Sequence, residues 1–269
     1  MSPAALTLTP LEGIPLIQPG DDLNSIILSG LQNSHIQLQN NDILVLAQKI
    51  VSKAENRLVN LATVEPSINA VTYAAQVDKD PRLIELILQE SNEVVRVRPG
   101  LMIVEHRLGF ICANAGIDHS NVGSPDILES EFVITQDNHA DEWVLLLPED
   151  PDISATELRQ KLEAQTGICL GVMIIDSHGR AWRMGAVGVC IGLSGMPALE
   201  DLRGHPDLFG YQLQVTEVGV ADELAAAASL MMGQVSEGTP VVHVRGFPYP
   251  LREANLEELI RPKELDLFR

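Results

Sequence analysis

Two apolar runs, Ile43-Leu44-Val45-Leu46-Ala47 and Ile168-Cys169-Leu170-Gly171-Val172-Met173-Ile174-Ile175, constrain this chain more than any other feature. Neither offers a polar side to water, and both are far shorter than the roughly 18 to 20 residues of a membrane span. Each therefore reads as a strand buried on both faces, which needs other elements packed above and below it. Asn40-Asn41-Asp42 is a turn signal ahead of the first run, and Asp176-Ser177-His178-Gly179-Arg180 stops the second.

Helices are expected around these strands. Leu23, Ile26, Ile27 and Leu31 fall on one face of a helix opened by Asp21-Asp22, and residues 82–90 read as a second helix. Ser154-Ala155-Thr156-Glu157 has capping-box spacing and predicts a helix that Gly167 ends. The Ala-rich stretch 217–232 is a good helix by propensity, broken at Gly233. Strands are predicted at 94–97 and 102–105, turning at Pro99-Gly100, and at 143–147, 211–215 and 241–244, with a short apolar run at 187–192. Residues 48–53 read as the polar exit of the first buried strand, where side chains face either a ligand or solvent. With no internal repeat and no regular βαβ cadence, the pattern predicts an α+β fold, mixed sheets with packed helices.

The charge balance narrows the partners. Eighteen Lys and Arg stand against 37 Asp and Glu, a net charge of -19. Such a chain lacks the clustered cations that nucleic acid or an anionic membrane requires, although divalent ions can still bridge carboxylates to the phosphates of a small polyanion. The three cysteines, Cys112, Cys169 and Cys190, are widely spaced and form neither a disulfide framework nor a zinc motif. Cys112, inside Phe110-Ile111-Cys112-Ala113, reads as a small buried hydrophobe. The first cationic residue is Lys49, so no targeting segment is expected and the chain is read as soluble and cytoplasmic.

No phosphate-binding P-loop, dinucleotide fingerprint, nucleophile elbow or zinc-protease helix occurs. Asp118 and Asp176 each end an apolar run and each lies near a hydroxyl residue, Ser120 or Ser177. Carboxylate and hydroxyl oxygens at strand ends suit Mg²⁺ or Mn²⁺, while a turn or helix-cap aspartate explains each position equally. His178 beside Asp176 is either an acid-base or ligand group or an exposed turn histidine, and His106 and His119 are as ambiguous. Lys49 and Lys53 could each present a point charge to a phosphate. Asp21-Asp22 reads as a solvated helix start and Met231-Met232 as a core stripe.

These segments carry a family resemblance. Gly13-Ile14-Pro15-Leu16-Ile17, DILVLAQKIVSKAE from Asp42, RLGFICANAGIDHSNV from Arg107, LLLPEDPDIS from Leu145, DSHGRAWRMG from Asp176 and TEVGVADELAAAASLMMGQ from Thr216 resemble the coenzyme F420:L-glutamate ligase family. The resemblance implies a GTP-dependent ligase that forms a γ-glutamyl amide bond between L-glutamate and coenzyme F420-0, and F420-1, through an acyl phosphate, releasing GDP and phosphate. It implies an unusual non-P-loop nucleotide-binding fold, an intertwined homodimer, a catalytic unit over residues 1–247 and a tail over 248–269. Two divalent ions, Mg²⁺ or Mn²⁺, and K⁺ would serve as cofactors. By resemblance Ile14, Pro15, Leu16, Ile17, Gln48, Lys49, Lys53, Asn121 and the run Met232, Gly233, Gln234, Val235, Ser236, Glu237, Gly238 and Thr239 contact GTP. Asp118 and Asp176 would bind one divalent ion, Ser177 and Gln234 would contribute to the second, and Lys53 would join the two aspartates in catalysis. Asn56 stands where the family often has Gly, and the segment Ser130 to Glu142 matches poorly. A related amino-acid ligase with another phosphorylated carboxylate acceptor, or a non-catalytic nucleotide-binding dimer, would share these residues.

Overall fold

The computed structural model describes residues 5–123 and 142–267, so the expectation for 130–142 lies, except for Glu142, outside the described residues. The strands are β1 (Thr7–Pro10), β2 (Ile43–Ala47), β3 (Leu58–Asn60), β4 (Ser91–Arg98), β5 (Leu101–His106), β6 (Ile111–Ala113), β7 (Trp143–Leu145), β8 (Gly171–Arg180), β9 (Arg183–Ser194), β10 (Glu200–Asp201), β11 (Glu217–Val218) and β12 (Val241–Arg245). The helices are α1 (Leu23–Asn33), α2 (Gln48–Ala54), α3 (Ile68–Val77), α4 (Pro81–Gln89), α5 (Pro151–Thr166) and α6 (Val220–Met232). The architecture is mixed α+β.

The main sheet has the order β1-β12-β2-β8-β9, and the two apolar runs lie side by side in it as a parallel pair, Ile43 opposite Gly171 and Ala47 opposite Ile175. Both are covered on both faces, as unbroken apolarity demands. Leu44, Leu46, Val172 and Ile174 join Ile27 and Leu31 of α1 and Leu158 and Leu162 of α5 in one core. The alternate residues Ile43, Val45, Met173 and Ile175 pack with Leu224, Ala225 and Ala228 of α6 in a second. Close approach of the helices to β9 depends on two glycines. A Cβ on Gly188 would stand 2.6 Å from the Ala225 carbonyl oxygen of α6, and one on Gly192 would stand 2.5 Å from the Pro151 carbonyl carbon of α5.

A smaller lobe is built from the sheet β4-β5-β6 and the helices α3 and α4, with Ala74, Ile84, Ile87, Met102, Val104 and Cys112 in its own core. Glu90, just after α4, ties this lobe to the main unit. It accepts from Arg57 Nη2 at 3.0 Å and Arg107 Nε at 2.9 Å, while Arg57 Nε donates to the Leu147 carbonyl at 2.8 Å. Burial alone would raise the Glu90 pKa; the nearby His106, the hydrogen bond from Arg107 and the charges of Arg57 and Arg107 outweigh it and hold the carboxyl at about 2. The tail also spans both lobes. Leu256 is buried and its N–H donates to Asp152 at 3.0 Å, Glu253 pairs with Arg159, and Lys263 pairs with Glu93 of β4.

Several expectations are corrected. Residues 48–53 do follow the first buried strand directly, but as the helix α2 rather than as a loop. The helix expected from Ser154 starts at Pro151 with Asp150 as its cap, because a proline at the first helical position supplies the required φ and Asp150 Oδ1 accepts from Ile153 N at 3.0 Å. The strand expected over 168–175 begins at Gly171 and does not stop at Asp176, since β8 continues to Arg180 as one arm of a hairpin with β9. Residues 211–215 form no strand, and the Ala-rich helix begins at Val220, after the short strand β11. Helix α3 is an element the sequence reading missed. No helix among the described residues is long and apolar enough to cross a membrane.

Two outcomes follow for stability. Gly192→Ala should lose about 1–3 kcal/mol in equilibrium urea unfolding, because the new methyl meets backbone rather than a yielding side chain; a midpoint equal to wild type would contradict this packing. The folded pKa of Glu90 lies below its unfolded value, so its contribution is present above pH 4.5 and disappears as the pH falls toward about 2. Glu90→Gln should therefore lose about 2 kcal/mol near neutrality, after allowance for partial solvent screening, with the difference closing in acid. A difference independent of pH would refute the electrostatic origin.

Candidate functional site

The parallel pairing of β2 and β8 sets Ala47 beside Ile175, so the residues that follow, Gln48-Lys49 and Asp176, leave the sheet as neighbours. Gln48 opens α2 and is buried. Ser52, one turn later, donates its hydroxyl to Gln48 Oε1 at 2.8 Å, which fixes the amide so that Nε2 donates to Asp118 Oδ2 at 2.6 Å. Lys49 takes the other carboxylate oxygen, with Nζ 3.0 Å from Asp118 Oδ1, and also donates to the Ser120 carbonyl at 3.0 Å.

Asp118 is held by its backbone as firmly as by its side chain. Its N–H donates to the Leu145 carbonyl at 3.0 Å and its carbonyl accepts from Leu145 N at 2.9 Å. The chain reaches it through three consecutive left-handed residues, Asn114, Ala115 and Gly116, at φ 50, 53 and 65°. Ala115 adopts that conformation against its own steric preference, which is the kind of backbone strain that concentrates at functional sites. Gly116 is required twice over, since a Cβ there would also stand 2.7 Å from Leu147 Cδ1.

The electrostatics of this corner are unbalanced. Burial raises the Asp118 pKa, and the charge of Asp176 raises it further, against the lowering effects of Lys49 and Gln48. Burial and the neighbouring charge of Lys49 push the Lys53 pKa down, against the pull of Asp118. Lys53 Nζ donates to the Asn121 carbonyl at 2.7 Å, and Asn121 Nδ2 donates to the Val235 carbonyl at 2.9 Å, which brings the loop after α6 to the same corner. In that loop Gln234 Oε1 accepts from Ser177 Oγ at 3.0 Å, Val235 N donates to Glu237 at 2.8 Å, and Thr239 Oγ1 donates to the Met232 carbonyl at 3.1 Å. Gly233 and Gly238 supply its positive φ values, and Ser236 is exposed. Met232 is buried while Met231 is half-exposed, so only one of the pair belongs to the core.

Strand alternation separates the remaining candidates. Asp176 and His178 share one face of β8, and Ser177 turns to the face where it meets Gln234. Ile17 packs in the same core as Ile50 and Val51 of α2, with Ile14 against it, whereas Pro15 and Leu16 are exposed. Among the described residues no three His, Cys, Asp or Glu side chains form a metal-binding group. The oxygens present nonetheless fit a hard divalent ion. Two carboxylates that repel one another, with a hydroxyl and an amide oxygen nearby, match the habit of Mg²⁺, which takes one or two carboxylates and completes its shell with water and phosphate. Cys112 is buried behind this corner, its thiol pushed up to about 12 by burial and by the charge of Asp176, and is inert as expected. Sequence reasoning missed the helix that carries Gln48, Lys49 and Lys53; the four-residue spacing of Gln48 to Ser52 and of Lys49 to Lys53 was the available signal.

Comparison with known proteins agrees with the motifs. The family profile described as F420-0:Gamma-glutamyl ligase matches residues 13–246. The chain is 44% identical over 266 residues to the coenzyme F420:L-glutamate ligase of Methanothermobacter thermautotrophicus, covering 98% of this chain and 99% of that one. It is 42% identical over 266 residues to the enzyme of that name from Methanopyrus kandleri, with 96% and 97% covered. To the one from Archaeoglobus fulgidus it is 40% identical over 261 residues, with 97% and 95% covered.

Lys53 is a half-buried cation whose hydrogen-bond acceptor among the described residues is a neutral carbonyl, so an anion would relieve it. Tripolyphosphate should raise the melting temperature of the wild-type protein by about 2–5 °C, and Lys53→Met should lose at least half of that rise. An equal rise in the variant would remove Lys53 from the anion site.

Proposed function

Because the chain belongs to the F420-0:gamma-glutamyl ligase family and is a ligase, we propose that it joins L-glutamate to coenzyme F420-0, and to F420-1, at the expense of GTP, in the cytoplasm. The observation that carries this reading is the convergence of Asp118, Asp176, Lys49 and Lys53 with the loop after α6 at the ends of two parallel strands. Open α/β sheets favour ligands at the carboxyl ends of their parallel strands.

In the reaction we infer, the acceptor carboxylate attacks the γ-phosphorus of GTP, the bond to GDP breaks, and an acyl phosphate forms. The amine of glutamate then attacks the acyl carbon, losing a proton as phosphate leaves. Such chemistry asks the protein mainly to position groups and to offset charge. Lys49 and Lys53 provide two cations on one face of α2. Asn121 ties the loop Met232–Thr239 to that face, and Gly233 and Gly238 let the loop backbone turn without Cβ hindrance. Ile14, Pro15, Leu16 and Ile17 lie before α1, with Ile17 anchoring the segment to the core. Asp118 and Asp176 would hold one divalent ion, Mg²⁺ or Mn²⁺, and Ser177 and Gln234 would contribute to a second, with K⁺ as a further cation. Bound there, the ions would neutralise phosphate charge that a protein of net charge -19 otherwise repels. The fold would then hold GTP without a P-loop. An intertwined homodimer is supported by large apolar side chains left exposed between β10 and β11, among them Leu208, Phe209 and Val215.

Incubation of the purified protein with GTP, L-glutamate, Mn²⁺ and coenzyme F420-0 should yield GDP, phosphate and a glutamylated product. Asp118→Ala and Asp176→Ala should each lower turnover by about 100-fold or more while remaining folded. No product from coenzyme F420-0, or product formed without GDP, would overturn the reading, and wild-type turnover in either variant would overturn the role of that aspartate.

A further inference from the structure

His178 is the chemistry-bearing side chain beside the site that the reaction above leaves without a task. Its Nε2 is buried, finds no aligned hydrogen-bond partner, and stands 3.0 Å from Asp176 Oδ2. The side chains of both residues are largely covered, 11% and 12% exposed. Strand alternation puts them on one face of β8, two residues apart, so the ring lies alongside the carboxylate rather than across a loop from it. Among the described residues Asp176 makes no other ion pair or side-chain hydrogen bond. An aspartate intended for a divalent ion and otherwise unsupported would be free to rotate.

The ring of His178 is itself fixed from behind. Phe110 packs against it at a centroid distance of 5.3 Å and a tilt of 49°, and His106 stacks on the far side of the contact, 5.1 Å from Phe110 with the rings 7° apart. His106 is completely buried, its Nδ1 accepts from Leu108 N at 3.1 Å, and its Nε2 lies 3.7 Å from Glu90 Oε2. Glu90 is held by Arg57 and Arg107. A continuous packed path therefore runs from the joint between the lobes to the Asp176 carboxylate. Asp222 of α6, whose carboxylate accepts from Cys190 N at 2.9 Å, also interacts electrostatically with His178.

We propose that His178 is a positioning residue, whose ring, wedged by Phe110 and His106, fixes the Asp176 carboxylate in the orientation a divalent ion requires. The inference rests on the ion site proposed above. Partners of this kind, which orient a ligating side chain without touching the ion, typically govern 10–100-fold in metal affinity.

The test is Mn²⁺ titration of the full-length protein by calorimetry, beside steady-state kinetics. His178→Ala should bind Mn²⁺ about ten-fold more weakly and lose kcat with the KM for glutamate unchanged, and His178→Gln, whose amide fills the same space beside Asp176, should recover most of both losses. Phe110→Leu, which frees the ring without removing it, should weaken Mn²⁺ by a few fold and serves as the test if His178→Ala does not fold. Wild-type Mn²⁺ affinity in a folded His178→Ala protein, or a glutamine variant as weak as the alanine one, would overturn the proposal. Asp176→Ala separates the two levels: if it abolishes Mn²⁺ binding while His178→Ala does not alter it, the positioning role alone falls. If Asp176→Ala binds Mn²⁺ as wild type does, the ion site falls and the positioning role falls with it.

Discussion

The parallel pairing of β2 with β8 is the constraint on which the rest of the molecule depends. Its register is fixed at the end remote from the site by a buried ion cluster. Asp42, immediately before β2 and 1% exposed, receives Arg245 Nη2 at 2.7 Å and stands 2.8 Å from His243 Nε2, both residues of β12, while its carbonyl accepts from Gly171 N at 3.0 Å. One residue thus ties β12 and β8 to the start of β2. Burial would raise its pKa; the hydrogen bonds from Arg245 and the adjacent His243 more than offset this and hold the carboxyl low. A slip of one residue would reverse every side chain of β2 between the α1–α5 core and the α6 core, and both are filled. With that register set, Gln48-Lys49 and Asp176 have no choice but to emerge together.

Charge is used differently at the two ends. Around Asp42 and Glu90 each carboxylate has several cationic or histidine partners, and the resulting clusters are structural. At Asp118 the balance runs the other way, with a half-buried carboxylate made harder to ionise by its burial and by the charge of Asp176, and a half-buried Lys53 made harder to protonate by its burial and by Lys49. Unrelieved charge of this sort lowers the stability of a fold and is tolerated where a ligand completes the balance. Under the proposed function, a chain of net charge -19 would hold a polyanion in this one place without being a general polyanion binder.

The parts of the fold legible in the sequence were those with one physical solution. Ile43–Ala47 was read to the residue because an unbroken apolar pentapeptide after a turn can only be a covered strand. The hairpin turn at Pro99-Gly100 and the stop at Gly167 were legible because Gly at positive φ has few substitutes. Helix α2 was not, since its apolar residues Ile50, Val51 and Ala54 are too few to show a helical period, and only the polar pairs Gln48–Ser52 and Lys49–Lys53 carry the four-residue spacing. Residues 211–215 look like a strand by composition, yet a strand needs a partner, and among the described residues none but an isolated bridge from Pro206 to Gln212 is formed. Spacing alone left Asp118 and Asp176 as turn aspartates or ligands. The resemblance singled them out, and the geometry added what neither could: the grip of Gln48 and Lys49, and the strained approach through Ala115.

The two lobes acquire a reason from the same geometry. Phe110 and Cys112 lie in or beside β6 of the smaller lobe, yet Phe110 packs into the cores of both lobes and against His178 of the main sheet, and Asp118 follows β6 by only a short strained loop. The corner is thus assembled from one carboxylate delivered by the smaller lobe and another delivered by β8. Glu90 with Arg57, and the tail with Lys263 on Glu93 and the buried Leu256 bonded to Asp152 at the start of α5, tie the lobes together. If two carboxylates must stay close enough to share an ion while repelling each other, rigidity has to come from outside the site, and these ties around its edge are where it resides.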